Sequence, residues 1–164
     1  MITMVNPTQQ DIDWFRHLLE DYDRLVRDRT KCEDKLDELQ AQIDSMFGVK
    51  AIRYDRVVVQ GSSDPNAKER KRLEIIDKQI IWEEKWIRID KKLDIIKRFR
   101  AFSDKKIAEA VFRIYCLKKD SDGERYTFER EAKKLYMHER TLHHRADAQI
   151  RKFLKIAIPD TFEP

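Results

Sequence analysis

The chain has 164 residues, of which 40% are charged and 41% are hydrophobic, and it contains only 3 Gly and 4 Pro. This balance is typical of solvated helices, and it argues against a sheet protein or a disordered chain. No apolar run approaches the roughly 18 residues of a membrane span, and the first residues lack the layout of a signal peptide. We therefore expect an all-α protein without membrane contact. The two cysteines, Cys32 and Cys116, are expected to be buried thiols in a reducing compartment.

Charge is distributed unevenly along the chain. Residues 1–47 hold 6 Lys and Arg against 11 Asp and Glu, residues 48–102 hold 15 against 9, and residues 123–156 hold 9 against 5. An acidic first segment followed by basic ones indicates either an electrostatic match within the chain or a basic surface that faces a partner. Charge alone leaves both interpretations open.

The first apolar residues follow one another in steps of three and four, which predicts one long helix over residues 10–47 with a coiled-coil seam. Arg29 interrupts this seam. It either pairs with an acidic residue across a helical hairpin or marks where the face turns to water. The seam consists of Phe15, Leu18, Tyr22, Leu25, Cys32, Leu36, Leu39, Ile43 and Met46.

Residues 48–66 are predicted to be a loop, because Val57–Val59 looks extended and Gly61–Asn66 is rich in turn residues. Residues 67–102 are predicted to form a second long helix. Together the two helices predict an antiparallel, coiled-coil-like hairpin over residues 1–102. The second helix has a seam of Ile75, Trp82, Trp86, Ile89, Leu93 and Ile96. It also has a second apolar row, which faces a partner subunit or the C-terminal domain, formed by Leu73, Ile76, Ile80 and Ile87.

Residues 103–164 are predicted to form a C-terminal domain of three shorter helices, over residues 104–117, 128–135 and 139–156. Thr127 can cap the second of these, and residues 136–138 form a turn before the third. The last two helices have the spacing of a helix-turn-helix. Their predicted buried residues are Phe128, Ala132, Leu135, Leu142, Ala146, Ile150 and Phe153.

The outer face of the last helix suits the major groove of DNA. Arginine can bond guanine in a bidentate manner, and threonine or histidine can reach base edges or phosphates. Because the start of such a helix enters the groove, the predicted base-reading residues are Arg140, Thr141, His144 and Arg145. The predicted phosphate-contacting residues, which position the domain without reading sequence, are Thr127, Arg151, Lys152 and Lys155. The alternative from spacing alone is a plain helical bundle with a solvated basic face.

The C-terminal block resembles region 4 of the σ70 family, and the chain as a whole resembles phage late-transcription regulators of the ArpU/RinA type. The features that resemble these families are the long first helix, the QGSSDP stretch at residues 60–65, and Ala132, Leu135, Met137, Thr141, Leu142 and Arg145. Three residues depart from the family pattern. Glu131 stands at a usually apolar position, Tyr136 replaces the common turn Gly, and His138 replaces the usual capping Ser.

This resemblance implies a phage or prophage transcription regulator in the cytoplasm of a bacterial host cell. Its partners would be double-stranded DNA, bacterial RNA polymerase, and a second copy bound through the hairpin. Two alternatives remain: a DNA-packaging protein of the small-terminase kind, and a structural or adaptor coiled coil that does not bind DNA.

Other chemical signals in the sequence are weak. Asp120–Gly123 lacks the ligands that close a calcium loop, so a plain turn is expected. The adjacent histidines on the last helix point in different directions and have no cysteine nearby to complete a zinc site. Trp82 and Trp86 are expected to be core residues rather than a base-stacking platform. The chain shows no catalytic constellation, and we expect a protein that is not an enzyme and binds no cofactor.

Overall fold

The computed structural model describes residues 6–47 and 66–156. Within these ranges the chain is all-helical, as predicted, and contains no strand. None of the helices described there combines the length and apolarity needed to cross a membrane. Of the predicted loop at 48–66, residues 48–65 with Val57–Val59 lie outside the described residues, as does the chain after residue 156. The elements are α1 Gln9–Glu20, α2 Tyr22–Phe47, α3 Ala67–Arg100, α4 Lys105–Phe112, a π-helical turn Arg113–Leu117, α5 Phe128–Lys134 and α6 Glu139–Lys155.

The first predicted helix is two helices that meet at Asp21. Thr8 starts α1 with a capping box, in which its hydroxyl accepts from the Asp11 backbone N–H and the Asp11 carboxylate accepts from the Thr8 backbone N–H. At Asp21 the backbone takes φ −77° and ψ −2°, which ends α1. The Leu25 N–H still bonds to the Asp21 carbonyl, at 2.9 Å. The heptad pattern continues through this junction, so periodicity could not reveal it.

The described residues form two compact units. One combines residues 6–26 with residues 91–156, and the other combines residues 27–47 with residues 66–90. This grouping differs from the predicted division between residues 102 and 103. The difference arises because α1 and the end of α3 pack with the C-terminal helices.

In the unit of residues 27–47 and 66–90, α2 and α3 run antiparallel. Cross-helix hydrogen bonds join Glu33 Oε1 to Trp86 Nε1 at 3.0 Å and Gln40 Oε1 to Gln79 Nε2 at 3.1 Å, so numbering rises along α2 as it falls along α3. Arg29 of α2 donates a hydrogen bond to Asp90 of α3 at 3.2 Å. Of the two interpretations of Arg29, the one observed is therefore the pairing with an acidic residue on the other helix. The most buried apolar residues of this unit are Cys32, Leu39 and Ile75.

In the other unit, three helices meet at an aromatic cluster. Phe15 of α1 lies 5.1 Å from Phe99 of α3 and 5.5 Å from Phe153 of α6, measured between ring centroids. Phe102 extends the cluster at 5.6 Å from Phe153. Rings at these distances and tilts add aromatic attraction to the burial of apolar area. The cluster therefore fixes α6 against α1 and the end of α3.

Both cysteines are free and buried, as the sequence predicted. Burial raises the pKa of the Cys116 thiol from 9.0 to about 12. The folded state thus holds the thiol proton more tightly than the unfolded chain. The stability that this provides is present below pH 9 and is lost as the pH rises toward 12.

Native Cys116 should therefore react slowly with iodoacetamide, because only the exposed thiolate reacts. In a Cys32→Ser variant at pH 9, we expect alkylation to be slow in buffer and fast in denaturant, as measured by intact mass. Equal rates in the two conditions would show that Cys116 is accessible in the fold.

Candidate nucleic-acid interface

Helices α5 and α6 are joined by a short turn of defined geometry. The Thr127 hydroxyl caps α5 by accepting from the Arg130 backbone N–H at 3.1 Å. The turn then passes through Tyr136 with φ +55°, and the Met137 N–H bonds back to the Ala132 carbonyl at 3.0 Å. The Tyr136 side chain is 98% exposed, so packing does not compensate for its backbone conformation.

One face of α6 is buried. The predicted buried residues Leu142, Ala146, Ile150 and Phe153 are all in the core, together with Gln149 and Leu154. Gln149 is satisfied there because its side-chain amide donates to the Phe102 carbonyl at 2.6 Å. The sequence gave no sign of this bond, since a glutamine on a buried face has no specific spacing signal.

The opposite face of α6 holds most of the predicted site residues. Thr141 is half-buried, whereas the exposed residues are Arg140, His144, Arg145, Arg151, Lys152 and Lys155. In the part of the chain that the structure describes, none of these Arg and Lys side chains forms an ion pair. Thr127 is also exposed, but it lies at the start of α5 and its hydroxyl is already engaged in the cap.

The two acidic residues of α6 each lie near a side chain that is not among the predicted site residues. Asp147 pairs with Arg16 of α1 on one flank. Glu139, in the first turn, lies 3.7 Å from the ring of His143. At about 100° per residue, Glu139 lies about 100° from Arg140, whereas Asp147 lies within about 40° of Arg140 and Arg151 and borders the basic face. The outward face is therefore basic except at this edge, where the Asp147 carboxylate is paired with Arg16.

His143 has a role that the sequence did not reveal. Its ring stacks on Phe128 of α5, with ring centroids 3.7 Å apart and planes at 20°. This contact joins the two helices at the rim of their interface. His143 therefore takes part in the packing of α5 against α6.

Glu131 also has a partner that spacing could not show. Its side chain is fully buried, and Oε2 accepts from Arg113 Nη2 at 2.8 Å and from Arg113 Nε at 3.2 Å. Arg113 opens the π-helical turn, in which the Lys118 N–H bonds to the Arg113 carbonyl at 2.8 Å. A polar residue at a usually apolar position is thus accommodated by a charge from the preceding helical segment.

The Asp120 turn is tied to α5. Its carboxylate accepts from the backbone N–H groups of Asp122 and Glu124, both at 2.9 Å, and from Arg130 at 2.7 Å. The Arg130 hydrogen bond is the main reason that the pKa of Asp120 is lowered. These bonds orient the entry to α5. Across residues 6–47 and 66–156, no group of three or more His, Cys, Asp or Glu is placed to hold a metal ion.

No family model, no curated protein and no solved structure matches the chain.

The first prediction from this geometry concerns Tyr136. A left-handed conformation is strained for a residue with a Cβ, and exposure leaves no packing to lose. We expect Tyr136→Gly to raise the free energy of unfolding by about 1 kcal/mol in urea titrations. Tyr136→Ala, which keeps the Cβ, is the matched control and should give no such gain. Identical unfolding midpoints for the Gly and Ala variants would contradict the inference that the backbone at Tyr136 is strained.

The second prediction concerns the Arg113–Glu131 pair. Arg113→Met leaves the buried Glu131 carboxylate with only Lys134, whose Nζ lies 3.7 Å from Oε1, and should cost about 3 kcal/mol of stability. Adding Glu131→Leu removes that carboxylate, and most of the loss should be recovered. Thermal and urea unfolding of both variants measure this. If the double variant is as unstable as Arg113→Met, the loss came from packing and not from the buried charge.

Proposed function

We propose that the chain is a sequence-specific regulator of phage or prophage transcription, which binds double-stranded DNA with α5 and α6 as a helix-turn-helix. The observation that supports this best is the division of α6 into a buried apolar face and an outward face with Arg140, His144, Arg145 and Arg151 exposed. A helix that is fixed on one side and basic on the other matches the geometry of a recognition helix.

Base reading is assigned to the start of α6. Arg140 and Arg145 are exposed and long enough to bond guanine edges, and His144 lies between them on the helix surface. Thr141 is half-buried, which suits a shorter contact close to the helix axis. A major groove about 12 Å wide admits one helix, so these side chains can approach the same few base pairs.

Phosphate contact is assigned to the second half of α6. Arg151, Lys152 and Lys155 are exposed along the outer face, beyond the residues that would read bases. Such contacts position the protein and release counterions, which makes binding strongly dependent on salt. Thr127 completes this set at the start of α5, where its backbone and side chain are ordered by the cap. The resemblance to the ArpU/RinA type further implies that α2 and α3 form a hairpin that contacts RNA polymerase or a second copy.

Substitutions should separate the two kinds of contact. DNA selected from random duplexes would supply the preferred site, and gel shifts would measure binding to it and to a mismatched duplex. Arg140→Ala or Arg145→Ala should reduce the discrimination between the two by about 1–3 kcal/mol. Lys155→Ala should weaken binding to both about equally and lower the salt slope by about 1.

The control is Lys106→Ala, which removes an exposed lysine from α4 and should leave binding unchanged. If the Arg140 and Arg145 variants bind both duplexes like the parent at low salt, α6 does not read the groove. If the parent itself shows no salt-dependent binding to any duplex, the chain is not a DNA-binding protein, as the adaptor hypothesis requires.

A further inference from the structure

Two arginines compete for the Asp147 carboxylate of α6. Arg151 lies four residues further along the same helix, and an acid followed by a base at this spacing favours an ion pair on a helix surface. The other arginine is Arg16 of α1. In the structure Asp147 pairs with Arg16, and among the described residues Arg151 has no ion pair. The exposed guanidinium of Arg151 therefore stays available to a ligand.

Arg16 is held in position by contacts within its own compact unit. Its neighbour Phe15 is fully buried in the aromatic cluster, and Arg16 Nη1 also donates to Asp13 at 3.2 Å. The side chains of Arg16 and Asp147 are 25% and 36% exposed, so water and salt screen this pair less than a fully exposed pair. Because exposed pairs on one helix are weak, a partly buried partner that is already in place competes well with a flexible surface arginine.

We propose that Arg16 is a positioning residue of the DNA-binding face: it holds the Asp147 carboxylate and so keeps Arg151 free to contact a phosphate. This inference rests on the proposed function, in which Arg151 contacts the DNA backbone. Without Arg16, Asp147 pairs with Arg151 and cancels its charge, because the histidine at the matching spacing, His143, is already stacked on Phe128. Arg16 thus acts on DNA binding through Asp147 and not through a contact of its own.

The first test is the salt dependence with which the full chain binds the preferred and the mismatched duplex. Arg16→Gln should weaken binding to both about equally and lower the salt slope by about 1, because one phosphate contact is lost. Adding Asp147→Asn removes the competing carboxylate and should restore the parental slope. Arg24→Gln is the matched control, since Arg24 pairs with Asp21 at 2.7 Å and not with a residue of α6. It should leave the slope unchanged.

The second test needs no DNA. In nitrogen-15 NMR spectra, the Nε–H proton of Arg151 should exchange rapidly with water in the parent chain, because this guanidinium is unpaired. In Arg16→Gln the new pair with Asp147 should slow the exchange, and adding Asp147→Asn should make it rapid again. Unfolding curves in urea establish that each variant is folded. Asp147→Asn alone leaves Arg16 in place, and it should keep the parental salt slope.

The outcomes separate the role of Arg16 from the proposed function. A parental salt slope in folded Arg16→Gln, or rapid Arg151 exchange in that variant, would overturn the role of Arg16 and leave the DNA contacts of α6 in place. If Asp147→Asn does not restore the slope, or lowers it on its own, Arg16 does not act by holding a competing carboxylate, and the proposal is wrong. A parent chain that binds no duplex would instead overturn the proposed function, and this role with it.

Discussion

The structure around the candidate site depends on the burial of one face of α6. Phe153 enters the aromatic cluster of Phe15 and Phe99, and Leu142 and Ile150 are almost completely removed from water. Burying side chains of this size stabilises the helix by about 1.5–3 kcal/mol each, which is far more than one surface ion pair provides. Because the apolar face is fixed, the rotation of the helix is fixed, and the direction of every other side chain on α6 follows from it. The outward position of Arg140 and Arg151 is thus a consequence of packing and not of their own contacts.

The regular features of the fold were predictable from the sequence because they depend on local rules. Periods of three and four placed the helices within a few residues, and Thr127 was recognisable as a cap from its residue type. The buried set of α6 followed from the same period. The separation of α1 from α2 at Asp21 could not be predicted from the period. The apolar pattern continues through the junction, where only the ψ angle of Asp21 departs from helical values. The grouping of α1 with the last helices also lay beyond sequence reasoning, because it depends on contacts between distant segments.

The irregular features of the site required the structure. Glu131 conflicts with an apolar pattern until Arg113 is seen beside it, and Arg113 reaches it from a π-helical turn that has no signature in a single sequence. Tyr136 was recognised as a departure from a turn glycine, and the structure shows that the chain accepts the positive φ rather than using another turn. His138 stands at the N-cap of α6 without a side-chain cap bond, so the start of this helix depends on the turn and on Leu142 below it. The usual sequence rules for turns and helix caps are therefore not followed at the start of α6. Such departures are expected near functional surfaces.

Helices α3 and α6 show how the same composition can produce different surfaces. Both are rich in charge, yet α6 concentrates its apolar residues on one face and leaves the other basic, whereas α3 between residues 67 and 90 is apolar on two opposite faces. A charged face attracts a charged polymer over a distance set by the salt concentration, and it requires no exact fit. An apolar row gains free energy only where a complementary surface excludes water from it. The outward face of α6 is therefore suited to a polyanion, whereas the exposed Leu73, Ile80 and Ile87 of α3 gain free energy only against a surface that covers them.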